Sequence, residues 1–262
     1  MATVYIKPGT GSGSGTLAAP YFQSELDTAE AAAGNNGIIY FVDGTYTLSN
    51  ETWNPLVDNM TYKSLNKNGA ILTSAASITL RFGASSTTQT VIFEDFKISG
   101  YIGYIINSNV TMKGINQADT AAFTPAYGFF YKLTGGATII VSNSSFAFKR
   151  LDATQYFFRD CSNTTVTRCT FQWSVSGVGA NKLQSSGTHP TVNNSIIASD
   201  LDSAVNSTAM AIANYTNCCI FNMDHTSGGT DNIYADPLLV DSANSDLRLR
   251  PSSPCINAGT AE

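Results

Sequence analysis

The amino-acid sequence predicts an all-β solenoid, a parallel β-helix in which short strands wind into stacked rungs. Three observations favour this fold: an apolar motif that recurs through the middle of the chain, a composition rich in small polar residues, and a distinct type of segment at each end. The length of 262 residues is compatible with one domain, because solenoids grow by adding rungs to a single core.

The recurring motif is a pair of apolar residues five positions apart. Six such pairs occur: Phe93/Ile98, Val110/Ile115, Val141/Phe146, Val166/Phe171, Val192/Ile197 and Tyr215/Ile220. Their starts lie 17, 31, 25, 26 and 23 residues apart, a spacing typical of one solenoid turn. An antiparallel sandwich would instead show alternating strands with a hairpin turn every 8–12 residues or so.

Each motif has a polar or small step between its two apolar members. The second position after the first apolar residue holds Asp95, Asn143, Asn194 and Asn217. The third position holds Ser144, Cys169, Ser195 and Cys218. Asn and Asp tolerate the left-handed backbone of a tight bend. We therefore expect a strand, a bend and a second strand in each rung, with equivalent residues stacked on one another.

A short helix is predicted ahead of the rungs, within residues 1–36. Pro20 suits its first turn and Gly34 its C-terminal cap. One face of this helix would contain Phe22, Leu26, Ala29 and Ala33. Residues 37–42 and the turn Asp43-Gly44 then predict the first rung. Such a helix would cover the apolar core at the open end of the stack.

The last segment, residues 236–262, is predicted to cap the other end. It reads as short edge strands between turns, and charge is concentrated in it at Asp236, Asp241, Asp246, Arg248 and Arg250. Prolines and charges at a sheet edge block further strand pairing. The chain 1–262 is thus expected to form one domain, with rungs in residues 37–235 between the two end segments.

Composition limits the classes of partner. The net charge is −5, the isoelectric point is about 4.9, and 13% of residues are charged, so a basic stripe for nucleic acid is not expected. Apolar runs long enough for a transmembrane helix are missing from the sequence. The N-terminus lacks the pattern of a secretory signal, which is compatible with a mature secreted protein or with a protein assembled in the cytoplasm, as phage structural proteins are.

Several segments carry a family resemblance. They are Asn217-Cys218-Cys219-Ile220-Phe221, Ala235-Asp236-Pro237-Leu238-Leu239-Val240-Asp241 and Ser253-Pro254-Cys255-Ile256-Asn257-Ala258-Gly259. These segments resemble the C-terminal end of right-handed parallel β-helix repeat proteins of the pectate-lyase-like superfamily, and residues 20–46 resemble that family's capping helix and first rung. The resemblance implies a right-handed solenoid of one chain. That superfamily includes polysaccharide lyases, hydrolases, adhesins and phage tailspikes, so the resemblance does not assign an activity.

Candidate acidic residues for catalysis are scattered along the sequence. A hydrolase on this fold needs two or three carboxylates at one cleft. The candidates are Glu94, Asp95, Asp152, Asp160, Asp200, Asp202 and Asp224. Asp200 and Asp202 would share one side of an extended segment, where they could act as acid and base or bind calcium, or form a solvated loop.

Basic residues, histidines and cysteines indicate a catalytic or metal site no more strongly than the acidic residues do. A lyase cluster could involve Lys149-Arg150 with Asp152, or Arg159-Asp160, although such neighbours more often form surface ion pairs. His189 and His225 lie in loop sequences, and Asp224 and Asp231 complete no clear metal set. The five cysteines are Cys161, Cys169, Cys218, Cys219 and Cys255, an odd number without Cys-x-x-Cys spacing, which indicates small buried side chains rather than a disulfide framework or a zinc site. No catalytic residue, metal or cofactor is therefore predicted.

Aromatic residues outside the core motif are candidates for carbohydrate contact. They are Trp53, Tyr101, Tyr104, Tyr131 and Trp173. Sugar rings pack on exposed aromatic faces that are flanked by amides and hydroxyls. The alternative is that these rings stack inside the tube or seal a contact between subunits.

Together these features favour a non-catalytic structural or adhesive surface protein, such as a capsid-decoration or tailspike-like component of a virion that contacts glycans. The alternative is a polysaccharide lyase or glycoside hydrolase acting on acidic or surface polysaccharide. The expected partners are other virion or surface proteins, further copies of the chain, for example in a trimer, and a surface glycan. Nucleic-acid binding and membrane insertion are not expected, and the expected location is the virion surface or the extracellular space.

Overall fold

A computed structural model describes residues 2–49, 51–53, 59–82, 90–106, 108–118, 130–132, 137–148, 156–159, 163–173, 182–184, 190–200, 214–222 and 228–260. Helix α1 spans Leu26–Ala33, after a 3-10 turn at Gln23–Glu25. The strands of the described residues are β1 Thr3–Lys7, β2 Tyr21–Phe22, β3 Ile38–Phe41, β4 Gly44–Thr47, β5 Glu51–Trp53, β6 Met60–Ser64, β7 Ala70–Phe82, β8 Thr90–Glu94, β9 Lys97–Ile106, β10 Asn109–Lys113, β11 Asn116–Ala118, β12 Phe130–Lys132, β13 Ile139–Ser142, β14 Ser145–Phe148, β15 Tyr156–Arg159, β16 Thr164–Thr167, β17 Thr170–Trp173, β18 Lys182–Gln184, β19 Thr191–Asn193, β20 Ile196–Ser199, β21 Tyr215–Thr216, β22 Cys219–Phe221, β23 Leu239–Asp241 and β24 Asp246–Leu249.

Two long parallel sheets form the body of the molecule. Among the described residues, sheet A has the order β2-β1-β3-β6-β8-β10-β13-β16-β19-β21, and sheet B contains β18-β15-β12-β9-β11-β14-β17-β20-β22 with β4, β5 and β7 attached through β7. Successive strands of a sheet come from successive turns of the chain, and every pairing in both sheets is parallel. This topology is a parallel β-helix, and it confirms the predicted fold class.

Sheet B continues around a corner of the solenoid. Strand β9 pairs with β11 through Lys97–Ser99 and with β12 through Tyr104–Ile106, so one strand serves two stacks. Between these parts Gly100 has a φ of +121°, and the register with β7 shifts between Ser74 and Ile78. Across this shift β7 has two more residues than β9, and such a bulge beside a glycine lets the strands turn while their backbones stay paired.

The core is built from columns of inward side chains. One column in sheet A contains Val4, Ile39, Tyr62, Phe93, Met112, Val141, Val166, Val192 and Tyr215, all buried. The facing column in sheet B includes the stacked rings of Phe146 and Phe171, whose centroids lie 5.3 Å apart. The predicted apolar pairs therefore do point into the tube.

One predicted pair is wrong in register. Val110 pairs with Val91 and Ile139, whereas the stacking partner of Phe93 is Met112. The residue five positions after Met112 is Gln117, which pairs with Ile98 and is 1% exposed. The motif of this rung is thus Met112/Gln117 in place of Val110/Ile115, because a polar residue occupies a position inside the core.

The bend between the sheets follows the predicted pattern. Its second position has positive φ throughout, from 49° to 67°, in Asp95, Gly114, Asn143, Arg168, Asn194 and Asn217. Its third position is buried, and we call these residues the bend ladder: Phe96, Ile115, Ser144, Cys169, Ser195 and Cys218. Ser195 Oγ accepts from the backbone N–H of Cys169 at 3.1 Å and donates to Asn193 O at 2.7 Å. Ser144 makes the equivalent bonds to Ile115 and Ser142.

The N-terminal end contains a rung that the sequence patterns do not identify. Strand β1 pairs in parallel with β3, so the stack begins within residues 1–36 and not at residue 37. The predicted helix is present as α1, and Gly34 ends it with a φ of +64°, but it begins at Leu26 and not at Pro20, because Tyr21 and Phe22 form strand β2. Glu30 of α1 is 2% exposed and accepts a hydrogen bond of 2.5 Å from the Tyr62 hydroxyl, which ties the helix to the rungs.

The C-terminal segment, which we call the C-terminal cap, lies against several rungs, with Asp246 and Arg248 beside Asn116 and Ser145. Strands β23 and β24 of this segment form an antiparallel pair. Residues 251–260 then fold back onto the bends, where Asn194 Oδ1 accepts from the backbone N–H of Thr260 at 3.0 Å. In the described residues no helix is long and apolar enough to cross a membrane.

Candidate functional site

The outward side of sheet A carries two regular columns of side chains. Inward and outward side chains alternate along a strand, and in-register pairing stacks equivalent residues. The first column contains Thr3, Ile38, Thr61, Ile92, Thr111, Ile140, Thr165 and Thr191. The second column contains Tyr5, Tyr40, Lys63, Glu94, Lys113, Ser142, Thr167, Asn193 and Thr216. We call the two columns together the contact face.

The N-terminal third of the contact face is aromatic. Tyr5 and Tyr40 are partly exposed, and their rings stack with centroids 5.6 Å apart and an angle of 19° between the planes. The sequence signal for this strand is the alternation of Val4 and Ile6 with Thr3, Tyr5 and Lys7, which lies outside the repeated motif.

The middle of the contact face is charged. Lys63 Nζ lies 2.8 Å from Glu94 Oε2 and 3.4 Å from Asp95 Oδ2. The hydrogen bond to Glu94 stabilises the charged form of Lys63 and raises its pKa, against a smaller opposing effect of burial. Two of the acidic residues considered as catalytic candidates are therefore engaged with a lysine on the neighbouring rung. Lys113 extends this charged zone by one more rung and is exposed.

The C-terminal half of the contact face is uncharged, and we call it the neutral zone. Its first column ends in Ile140, Thr165 and Thr191, all exposed, with Ile140 at 39%. Its second column ends in Ser142, Thr167, Asn193 and Thr216, which are partly exposed. Adjacent strands are about 4.8 Å apart, so hydroxyl, amide and methyl groups repeat at that interval on a rigid surface.

The structure removes one aromatic candidate from the surface. Tyr104 is 1% exposed, stacks on Phe82 at 6.1 Å and donates a hydrogen bond to Gln117, so its ring belongs to the core and presents no face to a sugar. The other four candidates lie in strands at Trp53, Tyr101, Tyr131 and Trp173. Their side chains fall outside the described part of the structure, and their role in carbohydrate contact stays a prediction.

The remaining polar candidates are not brought together within the described residues. Asp200 Oδ1 accepts hydrogen bonds from Gln172 Nε2 at 2.6 Å and from Ser242 Oγ at 2.9 Å, which joins a rung to the C-terminal cap. Over the described ranges, no group of three or more His, Cys, Asp or Glu side chains could hold a metal ion. The candidates outside those ranges are Lys149, Arg150, Asp152, Asp160, His189, Asp202, Asp224 and His225.

Comparisons with known proteins find likeness only at the level of structure. No family model matches the sequence, and no curated protein sequence matches it. Among solved structures, pectate lyase Pel9A is similar over 100% of this chain and 92% of that chain, with a TM-score of 0.46 and 14% identity. The assignment of the fold therefore depends on the strand pairing itself.

Proposed function

We propose that this chain is a non-catalytic structural or adhesive surface protein that contacts a glycan through the neutral zone. The observation that carries the proposal is the repeated, uncharged arrangement of Thr, Ile, Ser and Asn side chains on consecutive rungs. Hydroxyl and amide groups exchange hydrogen bonds with sugar hydroxyls, and the methyl groups of Thr and Ile pack against the apolar faces of sugar rings.

The rigidity of the rungs supports an adhesive role. Each neutral-zone strand is paired on both sides, with inward residues such as Val141 and Val166 that are fully buried. Binding to such a surface costs little conformational entropy, because the side chains stand on a preorganised sheet. A polymer with repeating units can then meet the same groups on several rungs.

The setting proposed for this activity is the virion surface or the extracellular space. The proposed partners are other virion or surface proteins, further copies of the chain in a homo-oligomer such as a trimer, and the glycan itself. Sheet A offers a flat area for such contacts, because its outward columns run over nine consecutive strands from β1 to β21.

The proposal can be tested with the full chain and a panel of neutral and acidic polysaccharides. Thr165→Arg and Thr191→Arg place a long charged side chain in the neutral zone, and we expect each to weaken binding at least tenfold. Ala32→Arg, on an exposed position of α1, is the matched control and should leave binding unchanged.

Enzymatic assays on the same panel test the alternative, that the chain cleaves polysaccharide. Release of new reducing ends would indicate a hydrolase, and release of unsaturated sugars would indicate a lyase. Either product would overturn the non-catalytic proposal. Equal binding by the wild type and both neutral-zone variants would overturn the location of the contact.

A further inference from the structure

Two cysteine side chains meet where the C-terminal cap lies against the last rung. Cys219 belongs to β22 and is buried, whereas Cys255 belongs to the cap and is half-buried. Each thiol is the largest influence on the pKa of the other, which places the two side chains next to each other. Both line a cavity of about 240 Å³ between the bends and the cap, which also includes Asn194 and Gly259.

Hydrogen bonds to the rung and to the cap fix the position of each cysteine. On the rung side, the backbone N–H of Cys219 donates to Ser195 O at 2.9 Å, and its thiol lies 3.3 Å from Ala235 O. On the cap side, the backbone N–H of Cys255 donates to Ser253 Oγ at 3.1 Å. Ser253 is itself buried and donates to Pro237 O at 2.6 Å. The backbone therefore holds the thiols together independently of any bond between them.

The two thiols have complementary chemistry. The hydrogen bond from Cys219 stabilises the thiolate of Cys255 and lowers its pKa to about 7, while the pKa of Cys219 is raised by the same bond and by burial. A thiolate is the nucleophile in thiol–disulfide exchange. Cys255, the more exposed of the two, is thus the attacking group at neutral pH, and Cys219 is placed to resolve the product.

We propose that Cys219 and Cys255 form a reversible disulfide that fastens the C-terminal cap to the last rung of the solenoid. The oxidant is a small-molecule disulfide of the glutathione class. The Cys255 thiolate attacks one sulfur of that reagent and displaces one thiolate, which gives a mixed disulfide. Cys219 then loses its proton, attacks the Cys255 sulfur and displaces the second thiolate. Two protein thiols are oxidised and one reagent disulfide is reduced to two thiols.

The bond would enclose a loop that contains the first part of the cap. It spans residues 219–255, a loop long enough for a cross-link to restrict the unfolded chain substantially. We expect oxidation to raise the thermal unfolding midpoint by roughly 5–10 °C. This inference does not rest on glycan binding, because none of the residues that line the cavity belongs to the neutral zone.

The test is to equilibrate the full chain with mixtures of reduced and oxidised glutathione, quench with acid, denature, and alkylate the remaining thiols. Intact-mass measurement should show two fewer alkylated thiols after oxidation, and a non-reduced digest should link the Cys219 peptide to the Cys255 peptide. In Cys219→Ser and in Cys255→Ser, oxidation should no longer reduce the number of alkylated thiols. Cys218→Ser is the matched control, because Ser occupies the same bend-ladder position in neighbouring rungs, and it should behave as the wild type.

Two results would overturn the proposal. One is full alkylation of all five thiols after exposure to an excess of oxidised glutathione. The other is a link that persists in Cys219→Ser, which would assign the bond to a different cysteine. Should a variant fail to fold, the digest of the oxidised wild type still decides between these outcomes.

Discussion

The hydroxyl of Tyr104 donates a hydrogen bond of 3.0 Å to Oε1 of Gln117, and both side chains lie inside the solenoid at 1% exposure. The amide nitrogen of Gln117 in turn donates to Ile102 O at 3.2 Å. A buried amide is tolerated only when its polar atoms find partners. Tyr104 and Gln117 therefore form a polar bridge across a core that is otherwise apolar at these positions.

This bridge predicts an unequal response to single and double substitutions. Tyr104→Phe leaves Oε1 of Gln117 without this donor, and we expect the free energy of unfolding to fall by about 1–3 kcal/mol. Tyr104→Phe combined with Gln117→Leu should recover part of this loss, because Leu resembles its stacking neighbour Ile98. Urea denaturation of the two single variants and the double variant measures the coupling. Additive effects would show that the hydrogen bond does not link the two sites.

The same residues show which parts of the fold could be predicted from the sequence. The bends were predictable, because a left-handed backbone favours Asn, Asp or Gly, and these residues occupy five of the six bends, with Arg168 in the sixth. The register at Met112/Gln117 was not, because a glutamine hidden in the core breaks the apolar pattern and moves the best apparent pair to Val110/Ile115. Strand β1 was missed because a Gly- and Ser-rich segment separates it from the next rung.

The contact face and the cysteine pair could not be predicted from the sequence for another reason. Each depends on which residues share a column or meet across a long separation, and loops of different length hide that register. Thr111, Ile140 and Thr165 are neighbours only once the strands are paired. Cys219 and Cys255 meet only because the cap folds back onto the last rung.

Glu30 predicts a dependence of stability on pH. Burial raises its pKa from 4.5 to about 7, although the hydrogen bond from Tyr62 partly opposes this. Because the folded pKa exceeds the unfolded one, the contribution of Glu30 to stability is largest below pH 4.5 and is lost as the pH rises through 7. Glu30→Gln should therefore be more stable than the wild type at pH 8, by up to about 3 kcal/mol, and similar to it near pH 4.

Thermal unfolding at several pH values measures this difference. Ala32→Gln is the control, because Ala32 lies on the same helix, is exposed and carries no charge, and its substitution should change stability little at any pH. A constant difference between Glu30→Gln and the wild type from pH 4 to 8 would contradict the assignment.

Asn143 predicts a backbone effect at the bend. Its φ is 49° and its side chain is exposed, so the conformation rather than a contact determines which residues suit the position. Asn143→Ala should lower the free energy of unfolding by about 1 kcal/mol. The Cβ of alanine disfavours the left-handed region, and alanine lacks the polar group that compensates for this in asparagine. Asn143→Gly should stay within about 0.5 kcal/mol of the wild type. Equal losses in both variants, measured in urea, would point to a lost side-chain contact instead.

The bend ladder predicts that Ser195 is needed for its acceptor atom. Its Oγ receives the backbone N–H of Cys169 and donates to Asn193 O, and the thiols of Cys169 and Cys218 likewise donate to Thr167 O and Thr216 O. Ser195→Ala removes one acceptor from this chain of bonds and leaves a buried N–H unpaired, at a cost of about 1–3 kcal/mol. Ser195→Cys should cost less, since sulfur already serves at two positions of the ladder. Urea denaturation of the two variants compares them, and an alanine variant as stable as the cysteine variant would mean that volume, and not hydrogen bonding, selects these residues.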